Sequence, residues 1–246
     1  MLEKNDYIYG IRAVIEAAEA GKEFDKVLIS NTLQSALAPE LMTALKSRGI
    51  LIQKVPVEKI DRITRRNHQG VLAILSAVSY CSLATLVPTL FEEGKTPLIV
   101  MLDGVTDVRN FGAIARTCEC AGVDAMVIAR RGGASVTADA MKTSAGALAY
   151  LPICRENSII NAVKFLRDCG FQIVAATEKS DTPYTRADFT LPTAIVMGAE
   201  DTGISEDVLR FSTARVAIPE RGHISSLNVS VAAGVMIYEA VRQRTI

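Results

Sequence analysis

Residues 98–122 read LIVMLDGVTDVRNFGAIARTCECAG, an apolar run followed by a glycine-containing loop and a helical segment. The apolar run Leu98–Leu102 predicts a strand that is buried on both faces. Asp103 and Gly104 open the loop, and the helix after it carries Arg116. A buried strand that leads into a helix is the repeating unit of a parallel sheet, so this stretch predicts an α/β fold.

The same alternation of apolar strands and helices continues through the rest of the chain. Strands that are apolar on both faces and separated by helices are typical of a mostly parallel sheet covered on both sides. The predicted strands are Leu98–Leu102, Ala125–Ala129, Leu151–Cys154, Phe171–Ala176, Ala194–Met197 and Val216–Ile218. Residues 97–246 are therefore predicted to form one α/β domain built on a parallel sheet.

The first part of the chain predicts a separate small α/β domain over residues 1–80. Helices are expected at Ile11–Ala20, Pro39–Arg48 and Val57–Thr64, and strands at Lys26–Ser30, Ile50–Val55 and Val71–Val78. Strand character is then lost, and Pro88, Gly94 and a polar stretch follow. Because proline and glycine interrupt regular structure, we expect a linker at residues 81–96.

The composition is typical of a folded globular protein without an overall charge that would attract nucleic acid. Of the 246 residues 49% are hydrophobic, so the chain can bury a large core. No secretory leader or apolar stretch of membrane-spanning length is evident, so we expect a cytoplasmic protein with no membrane partner. The 27 Lys and Arg balance the 27 Asp and Glu, so binding of nucleic acid must come from a local basic patch.

The cysteines and histidines argue against metal and hydrolase chemistry. The cysteines lack the C-x-x-C spacing of a tetrahedral metal site and are scattered at Cys81, Cys118, Cys120, Cys154 and Cys169. We interpret them as reduced core thiols and expect no metal. With His68 and His223 alone, a histidine-rich metal site is excluded, and a Ser-His-Asp triad would need one of them in a special place.

Three loops that follow predicted strands combine glycines with polar side chains. They cover residues 103–112, 198–203 and 219–228. Ligands of parallel sheets bind at the carboxyl ends of strands, so these loops are the first places to expect a site. None of them contains the G-x-G-x-x-G motif of dinucleotide binding, and the chain has no P-loop. The residues alone predict a ligand-binding site. The glycines would let the backbone approach the ligand closely, and several polar side chains lie nearby in the sequence.

These loops resemble, in order, the three motifs of the SpoU/TrmH branch of the SPOUT RNA methyltransferases. NFGAIAR at 110–116 is similar to the first motif, VMGAEDTGIS at 196–205 to the second, and residues 218–232, with SLNVS at 226–230, to the third. The first part of the chain resembles the small ribosomal-protein-like domain that binds substrate in many members. The two-domain layout and the ending YEAVRQR at 238–244 look most like the RlmB group of bacterial 23S rRNA guanosine 2′-O-methyltransferases.

The resemblance implies a fold, a cofactor and a reaction. Family members carry a deep trefoil knot, a rare exception to the rule against threaded chains, and transfer a methyl group from S-adenosylmethionine to a ribose 2′-hydroxyl of RNA. By motif position, backbone at Gly198, Ile218 and Leu227 would hold the cofactor. Without the resemblance, Gly198 would be interpreted as a turn glycine and the other two as core residues.

Arg116 matches the catalytic arginine of the family. Taken alone, a helical arginine is usually a solvated surface residue. Its guanidinium stays charged, which makes it an awkward base. We therefore favour a role in which Arg116 grips the neighbouring phosphate and makes the ribose hydroxyl easier to deprotonate, with direct proton removal as the alternative.

Other motif positions are occupied by Asn110, Glu200, Ser226 and Asn228. The asparagines would orient Arg116 and the ribose, or simply cap loops. Glu200 would pair with Arg116 or brace backbone amides, or remain an exposed loop carboxylate. Ser226 would position substrate or loop, and it is not expected to be a covalent nucleophile because the cofactor supplies an activated methyl group.

Three positions depart from residues that the family often carries. Val108 stands where proline is common, Asp201 where glycine is common, and Glu220 where an apolar residue is common. They lie between the key positions, so they bear on substrate contacts and loop shape more than on the reaction.

The densest basic stretch of the chain contains Arg62, Arg65 and Arg66. A charge cluster is often only a solvated loop, and its functional interpretation is contact with RNA phosphates by the small domain. Few aromatic residues accompany it in the sequence, so base stacking there has weak support.

The final helix, about Leu227–Arg242, is apolar on nearly every side, which implies burial by more than one surface. The resemblance favours a homodimer formed through the C-terminal domain, with burial inside the knot as the alternative. The expected substrate is 23S rRNA. The alternatives are a tRNA substrate and a non-catalytic RNA-binding or ribosome-assembly role on the same fold.

Overall fold

The structure is a computed structural model, and it describes residues 6–223 and 226–245. Contacts divide the chain into two compact units. The first holds the described residues up to Ser79 together with residues 135–138, and the second holds residues 80–134 and the chain from Asp139 onward.

The first unit is built on a four-stranded mixed sheet with the strand order β1-β4-β2-β3. Its elements are β1 (Tyr7–Tyr9), α1 (Ile11–Glu19), β2 (Phe24–Ser30), α2 (Ala38–Ser47), β3 (Ile52–Val55), α3 (Val57–Asp61) and β4 (Val71–Leu75). Strand β4 is antiparallel to both of its neighbours, and β3 is parallel to β2. Helices α1 and α2 bury their apolar residues on one face of this sheet, and Ile60 of α3 is buried with Leu28 and Leu72 in a smaller cluster.

The second unit contains the remaining elements. They are β5 (Tyr80–Cys81), α4 (Leu83–Glu92), β6 (Leu98–Asp103), α5 (Val108–Cys120), β7 (Ala125–Ala129), α6 (Ala138–Thr143), β8 (Ile153–Glu156), α7 (Ile159–Asp168), β9 (Gln172–Ala176), β10 (Thr193–Gly198), α8 (Glu206–Phe211), β11 (Ala214–Val216) and α9 (Val229–Arg244). Short 3-10 helices lie at Ala147–Ala149 and Tyr184–Arg186.

The second unit confirms the predicted parallel sheet. Its seven strands follow the order β11-β9-β10-β6-β7-β8-β5, and every neighbouring pair is parallel. Helices α4, α7 and α8 bury Leu83, Val163 and Val208 in the core on one face. Because all strands run in one direction, their carboxyl ends meet at a single edge, where polar loop residues can converge.

Helix α9 is held at both ends. At its start, the side chain of Asn228 accepts a hydrogen bond from the backbone N–H of Ser230 at 3.0 Å. At its end, the guanidinium of Arg244 donates to the carbonyls of Thr96 at 2.6 Å, Phe189 at 2.8 Å and Leu191 at 2.9 Å. Along its length, α9 packs against α5 and β10. The residues that precede α9 are thereby held beside the sheet edge.

Several element boundaries differ from the sequence expectations. Helix α9 begins at Val229 rather than Leu227, because Asn228 caps it in a non-helical conformation. Strand β11 ends at Val216 rather than Ile218. The stretch expected to be a linker, residues 81–96, contains α4, whose N-cap is Ser82. Strands β1 and β5 were not predicted, because two or three residues are too few to show an alternating pattern.

Among the described residues, no helix is long and apolar enough to cross a membrane. Over the same part of the chain, no group of three or more His, Cys, Asp or Glu residues could hold a metal ion. Burial raises the pKa of the Cys118 thiol, which therefore stays protonated and unreactive.

Candidate functional site

The loops that follow β6 and β10 are joined to each other. These strands are parallel neighbours, and their register places Gly198 opposite Asp103. The carboxylate of Asp103 accepts a hydrogen bond from the backbone N–H of Ser205 at 2.8 Å. The first and second motifs therefore share a single edge of the sheet.

Gly198 lies at the end of β10, where the backbone is too crowded for any side chain. A Cβ atom at this position would lie 2.3 Å from the carbonyl carbon of Gly203 and 2.4 Å from the nitrogen of Ile204. Real Cβ atoms do not approach backbone this closely, so a larger residue must displace the loop. The glycine sets the path of the second motif.

Replacement of Gly198 by alanine is expected to lower the thermal unfolding midpoint by about 2 to 12 °C, corresponding to an overpacking cost of about 1–3 kcal/mol. Gly234→Ala is the matched control, since a Cβ at Gly234 would lie 3.9 Å from Thr117 Cγ2, an ordinary contact. Within helix α9 that alanine should leave the midpoint unchanged or raise it. A Gly198→Ala midpoint equal to that of the unaltered protein would contradict the crowding.

The first turn of α5 places Asn110 at the same edge. The side chain of Asp107 caps this helix by accepting hydrogen bonds from the backbone N–H groups of Arg109 at 2.9 Å and Asn110 at 2.8 Å. The Asn110 side chain is thereby held beside the start of α9, where its oxygen accepts a hydrogen bond from Asn228 Nδ2 at 3.0 Å.

Asn228 joins all three motifs. Its Nδ2 also donates to Glu200 Oε1 at 2.6 Å, and the same carboxylate oxygen lies 3.4 Å from the backbone nitrogen of Val229. The asparagine therefore caps α9 and links the first motif to the second. The structure brings together Asn110, Glu200 and Asn228, which are more than a hundred residues apart at their extremes in the sequence.

Two cavities flank this junction. The first, called the junction cavity, is an open pocket of about 220 Å³ and is lined by Gly104, Asp107, Asn110, Glu200 and Asp201. The second, called the strand-end cavity, is an open pocket of about 80 Å³ and is lined by Thr177, Glu178, Met197, Ile218, Glu220, Ser226 and Leu227. Both are lined by carboxylates, which are Asp107, Glu200 and Asp201 in the junction cavity and Glu178 and Glu220 in the strand-end cavity. The strand-end cavity differs in having Met197, Ile218 and Leu227 as an apolar wall.

The strand-end cavity contains most of the residues predicted to bind a cofactor. Ile218 and Leu227 line it, and Gly198 directly follows its lining residue Met197. Ser226, predicted to position substrate, lies in the same wall. Thr177 and Glu178 were missed by the sequence reasoning, although their position directly after strand β9 was a signal that could have found them.

Arg116 lies apart from the junction within this chain. It is exposed, and it follows Asn110 by six residues on the same helix. Six residues correspond to a rise of about 9 Å and a rotation of about 120° away from Asn110. Within residues 6–223 and 226–245, its guanidinium forms no ion pair. The structure therefore leaves this cation free to bind an anionic ligand.

The predicted RNA-contacting residues Arg62, Arg65 and Arg66 all lie in the first unit, and all are exposed. They occupy the loop between α3 and β4.

Comparison with known proteins identifies the family. The profile described as SpoU rRNA Methylase family matches residues 97–238, more than half of the chain. The chain belongs to the SpoU rRNA methylase family. A second profile, described as RNA 2′-O ribose methyltransferase substrate binding, matches residues 7–81. A SpoU methylase with this substrate-binding domain is an RNA ribose 2′-O-methyltransferase.

Relatives of this SpoU methylase support the assignment along nearly the whole chain. A Staphylococcus saprophyticus protein named as a TrmH family tRNA/rRNA methyltransferase is 35% identical over 237 residues, which are 96% of this chain and 95% of that protein. The structure of an AdoMet-bound rRNA methyltransferase from Sinorhizobium meliloti is 27% identical, with a TM-score of 0.61, and the match covers 96% of this chain and 86% of that one.

A third similar structure is the SpoU methyltransferase AviRb from Streptomyces viridochromogenes in complex with AdoMet. It is 26% identical, with a TM-score of 0.61, and the match covers 97% of this chain and 90% of that one. The resemblance to the SpoU/TrmH methyltransferases that the three motifs indicate is thereby confirmed.

Proposed function

We propose that this SpoU methylase uses S-adenosylmethionine to methylate the ribose 2′-hydroxyl of a guanosine in cytoplasmic 23S rRNA. The observation that carries the proposal is the junction of Asn110, Glu200 and Asn228 beside the strand-end cavity. An intact junction argues against a non-catalytic RNA-binding or assembly role. The rRNA target is supported by the description of the matching family, and the small substrate-binding domain supports an RNA substrate.

We assign S-adenosylmethionine, which is present in similar structures of this family, to the strand-end cavity because of its lining residues. Met197, Ile218 and Leu227 form an apolar wall for the adenine ring, and Glu178 offers a carboxylate to hydroxyl or ammonium groups. When bound, the cofactor supplies a methyl group already activated on a sulfonium. This chain has to position the ribose and assist loss of the hydroxyl proton.

Arg116 is the group that we assign to the RNA backbone next to the target ribose. A free guanidinium binds phosphate oxygens bidentately, and it stays charged at all relevant pH values. Its charge favours the deprotonated form of a nearby hydroxyl, and direct proton removal by Arg116 is the alternative. Asn110, Glu200 and Asn228 hold the loops around the reacting groups, and Ser226 positions the ribose or its loop.

We also propose a homodimer formed along α9. Most of this helix is buried against the sheet and α5, yet Val231 is 54% exposed and Tyr238 is 51% exposed. These residues are seven apart and share one face of the helix with the half-buried Val235. Leu227, which precedes α9 and lines the strand-end cavity, is also exposed. An exposed apolar stripe of this kind marks an interaction surface.

Helix α9, which carries the stripe, packs against α5, which carries Arg116. Gly234 of α9 lies close to Thr117 of α5, so the exposed side of α5 and the stripe belong to one packed pair of helices. We propose that a second subunit seated on the stripe completes the site around Arg116. The trefoil knot expected for the family belongs to this same proposal, since the third motif and α9 form its C-terminal part.

A charge placed on the stripe tests the dimer. The unaltered chain should scatter light as twice 26.5 kDa at micromolar concentration, and Val231→Asp should scatter as 26.5 kDa because burying a carboxylate at the interface is costly. Tyr150→Asp, which alters an apolar residue that is 80% exposed and lies outside α9, serves as the matched control and should remain dimeric. A monomeric chain that still methylates RNA would contradict both the dimer and its role.

The substrate is tested by methyl transfer to purified RNA. The chain is incubated with radiolabelled S-adenosylmethionine and with either unmodified 23S rRNA or unmodified tRNA, and the labelled nucleotide is then mapped. Label on the ribose of one 23S rRNA guanosine is expected. Label confined to tRNA would favour the tRNA alternative, and no label in either RNA despite cofactor binding would favour a non-catalytic role.

A further inference from the structure

Two tyrosines of β1 lie beside the basic loop of the first unit. Tyr7 and Tyr9 are two residues apart on the edge strand and therefore point to the same face of the sheet, with ring centroids 6.2 Å apart. The guanidinium of Arg66 lies 6.0 Å from the centroid of Tyr9, and its Nη1 donates a hydrogen bond to the Tyr9 hydroxyl at 3.1 Å. The arginine is thus held next to two half-buried aromatic rings.

The loop that carries the arginines is fixed in place. His68 is buried, its Nε2 lies 2.9 Å from the carboxylate of Asp61, and its Nδ1 accepts a hydrogen bond from the backbone N–H of Gly70 at 3.0 Å. The side-chain oxygen of Gln69 accepts from the backbone N–H of Ile11 at 3.2 Å. These hydrogen bonds hold the loop in one conformation. Ligand binding therefore costs little conformational entropy in this loop.

The charges around the tyrosines are available to an anion. Arg62 and Arg65 are exposed, and no ion pair involves either of them in the part of the chain that the structure describes. Arg66 uses one of its N–H groups on Tyr9, and a guanidinium has five. The loop therefore offers two unpaired cations, Arg62 and Arg65, close in sequence to Arg66, which lies next to Tyr9.

We propose that Tyr7, Tyr9 and Arg66 form a binding site for an unpaired RNA base, with Arg62 and Arg65 on the flanking phosphates. Aromatic rings and guanidinium planes stack on bases that have left a helix, whereas the bases of a duplex are already stacked on each other. The inference rests on the proposed function in taking RNA as the ligand. It adds that the small domain selects single-stranded or loop RNA rather than duplex.

The test measures binding of the full chain to two RNAs. The probes are a fluorescein-labelled, unstructured 12-nucleotide RNA and the same strand annealed to its complement, followed by fluorescence anisotropy. Tyr9→Ala should weaken single-strand binding by about 5- to 150-fold, the range for losing one stacked base, and change duplex binding by less than about twofold. Tyr9→Phe keeps the ring and loses only the hydroxyl, so it should bind nearly as well as the unaltered chain.

Two further measurements separate stacking from charge. Replacing Arg62 and Arg65 with glutamine should lower the salt dependence of binding to both RNAs, because each removes a phosphate contact. Arg12→Ala removes an exposed arginine that already pairs with Glu40 at 3.4 Å and should change neither. With 5-iodouridine in the 12-nucleotide RNA, light should cross-link the unaltered protein at Tyr7 or Tyr9.

Unchanged single-strand binding of Tyr9→Ala, or an equal loss on both RNAs, would overturn the inference, as would cross-links confined to other residues. Thermal unfolding of each variant is compared with that of the unaltered chain, and the cross-link requires no variant. Methyl transfer is measured on the same preparations. If Tyr9→Ala binds single-stranded RNA normally and still methylates RNA, only this base-binding site is refuted. If the unaltered chain neither binds nor methylates RNA, the proposed function is refuted.

Discussion

Arg116→Ala is expected to lower methyl transfer to RNA by about 10²- to 10⁴-fold, the range for removing a proton-transfer or charge-stabilising group. The side chain is exposed and forms no ion pair in the described part of the chain, so its loss should cost little stability. Binding of S-adenosylmethionine should be unchanged, since Arg116 does not line the strand-end cavity. Single-turnover kinetics together with calorimetry of cofactor binding would measure both quantities.

The matched control is Arg210→Ala, which removes an exposed arginine of α8 and should leave transfer unchanged. Arg116→Lys keeps the charge but loses the planar fork, so partial activity in this variant supports a phosphate contact over proton removal. Near-normal turnover of Arg116→Ala would show that the arginine is a solvated surface residue.

Glu200→Ala should have the next largest effect, a loss of methyl transfer of about 10- to 100-fold. The carboxylate accepts hydrogen bonds from Asn228 and lies near the backbone nitrogen of Val229, so alanine leaves both donors without this partner. Hydrogen bonds to charged groups contribute about 1.5–3 kcal/mol, which corresponds to that loss if the loops must be held in place for reaction. Initial rates at saturating cofactor would measure it.

Glu200→Gln separates positioning from charge. Glutamine keeps an oxygen that accepts from Asn228, so it should restore most of the activity if Glu200 braces the loops. Asp207→Ala, on the exposed side of α8, is a control that removes a carboxylate outside the junction. Full activity of Glu200→Ala would mean that the contact with Asn228 is dispensable.

The parallel sheet could be predicted because its strands are apolar on both faces. The run Leu98–Leu102 and the segment Ala125–Ala129 are strands in the structure at those positions. Helix α4 was not predicted, because Pro88 lies inside it and proline usually ends a helix. Its buried residues Leu83 and Val87 show that packing against the sheet outweighs that preference.

The junction could be predicted only through the motifs. Spacing alone cannot bring Asn110 to Asn228, since their contact depends on where α5 and α9 pack. For Arg116 the motif predicts more than the fold shows. Its motif position predicts a catalytic role, whereas the fold places it on an exposed helix face. The structure of one chain without RNA does not show roles that depend on a bound RNA or on a second subunit.

The surface proposed to bind a base was not predicted because its parts are distant in sequence. Tyr9 and Arg66 are 57 residues apart, and they meet because β1 pairs with β4 at the edge of the first sheet. Strand β1 has three residues, which are too few to indicate a strand from periodicity. The aromatic residues that the basic loop lacks in the sequence are supplied by the fold.

We expect the strand-end cavity to bind the cofactor beside the junction of the three motifs. A crystal structure of the full chain with S-adenosylhomocysteine, the demethylated product of the cofactor, tests it most directly. Density for the ligand is expected against Met197, Ile218 and Leu227, with its sulfur directed toward the junction of Asn110, Glu200 and Asn228. Ligand density at any other place, with the strand-end cavity empty, would contradict the account.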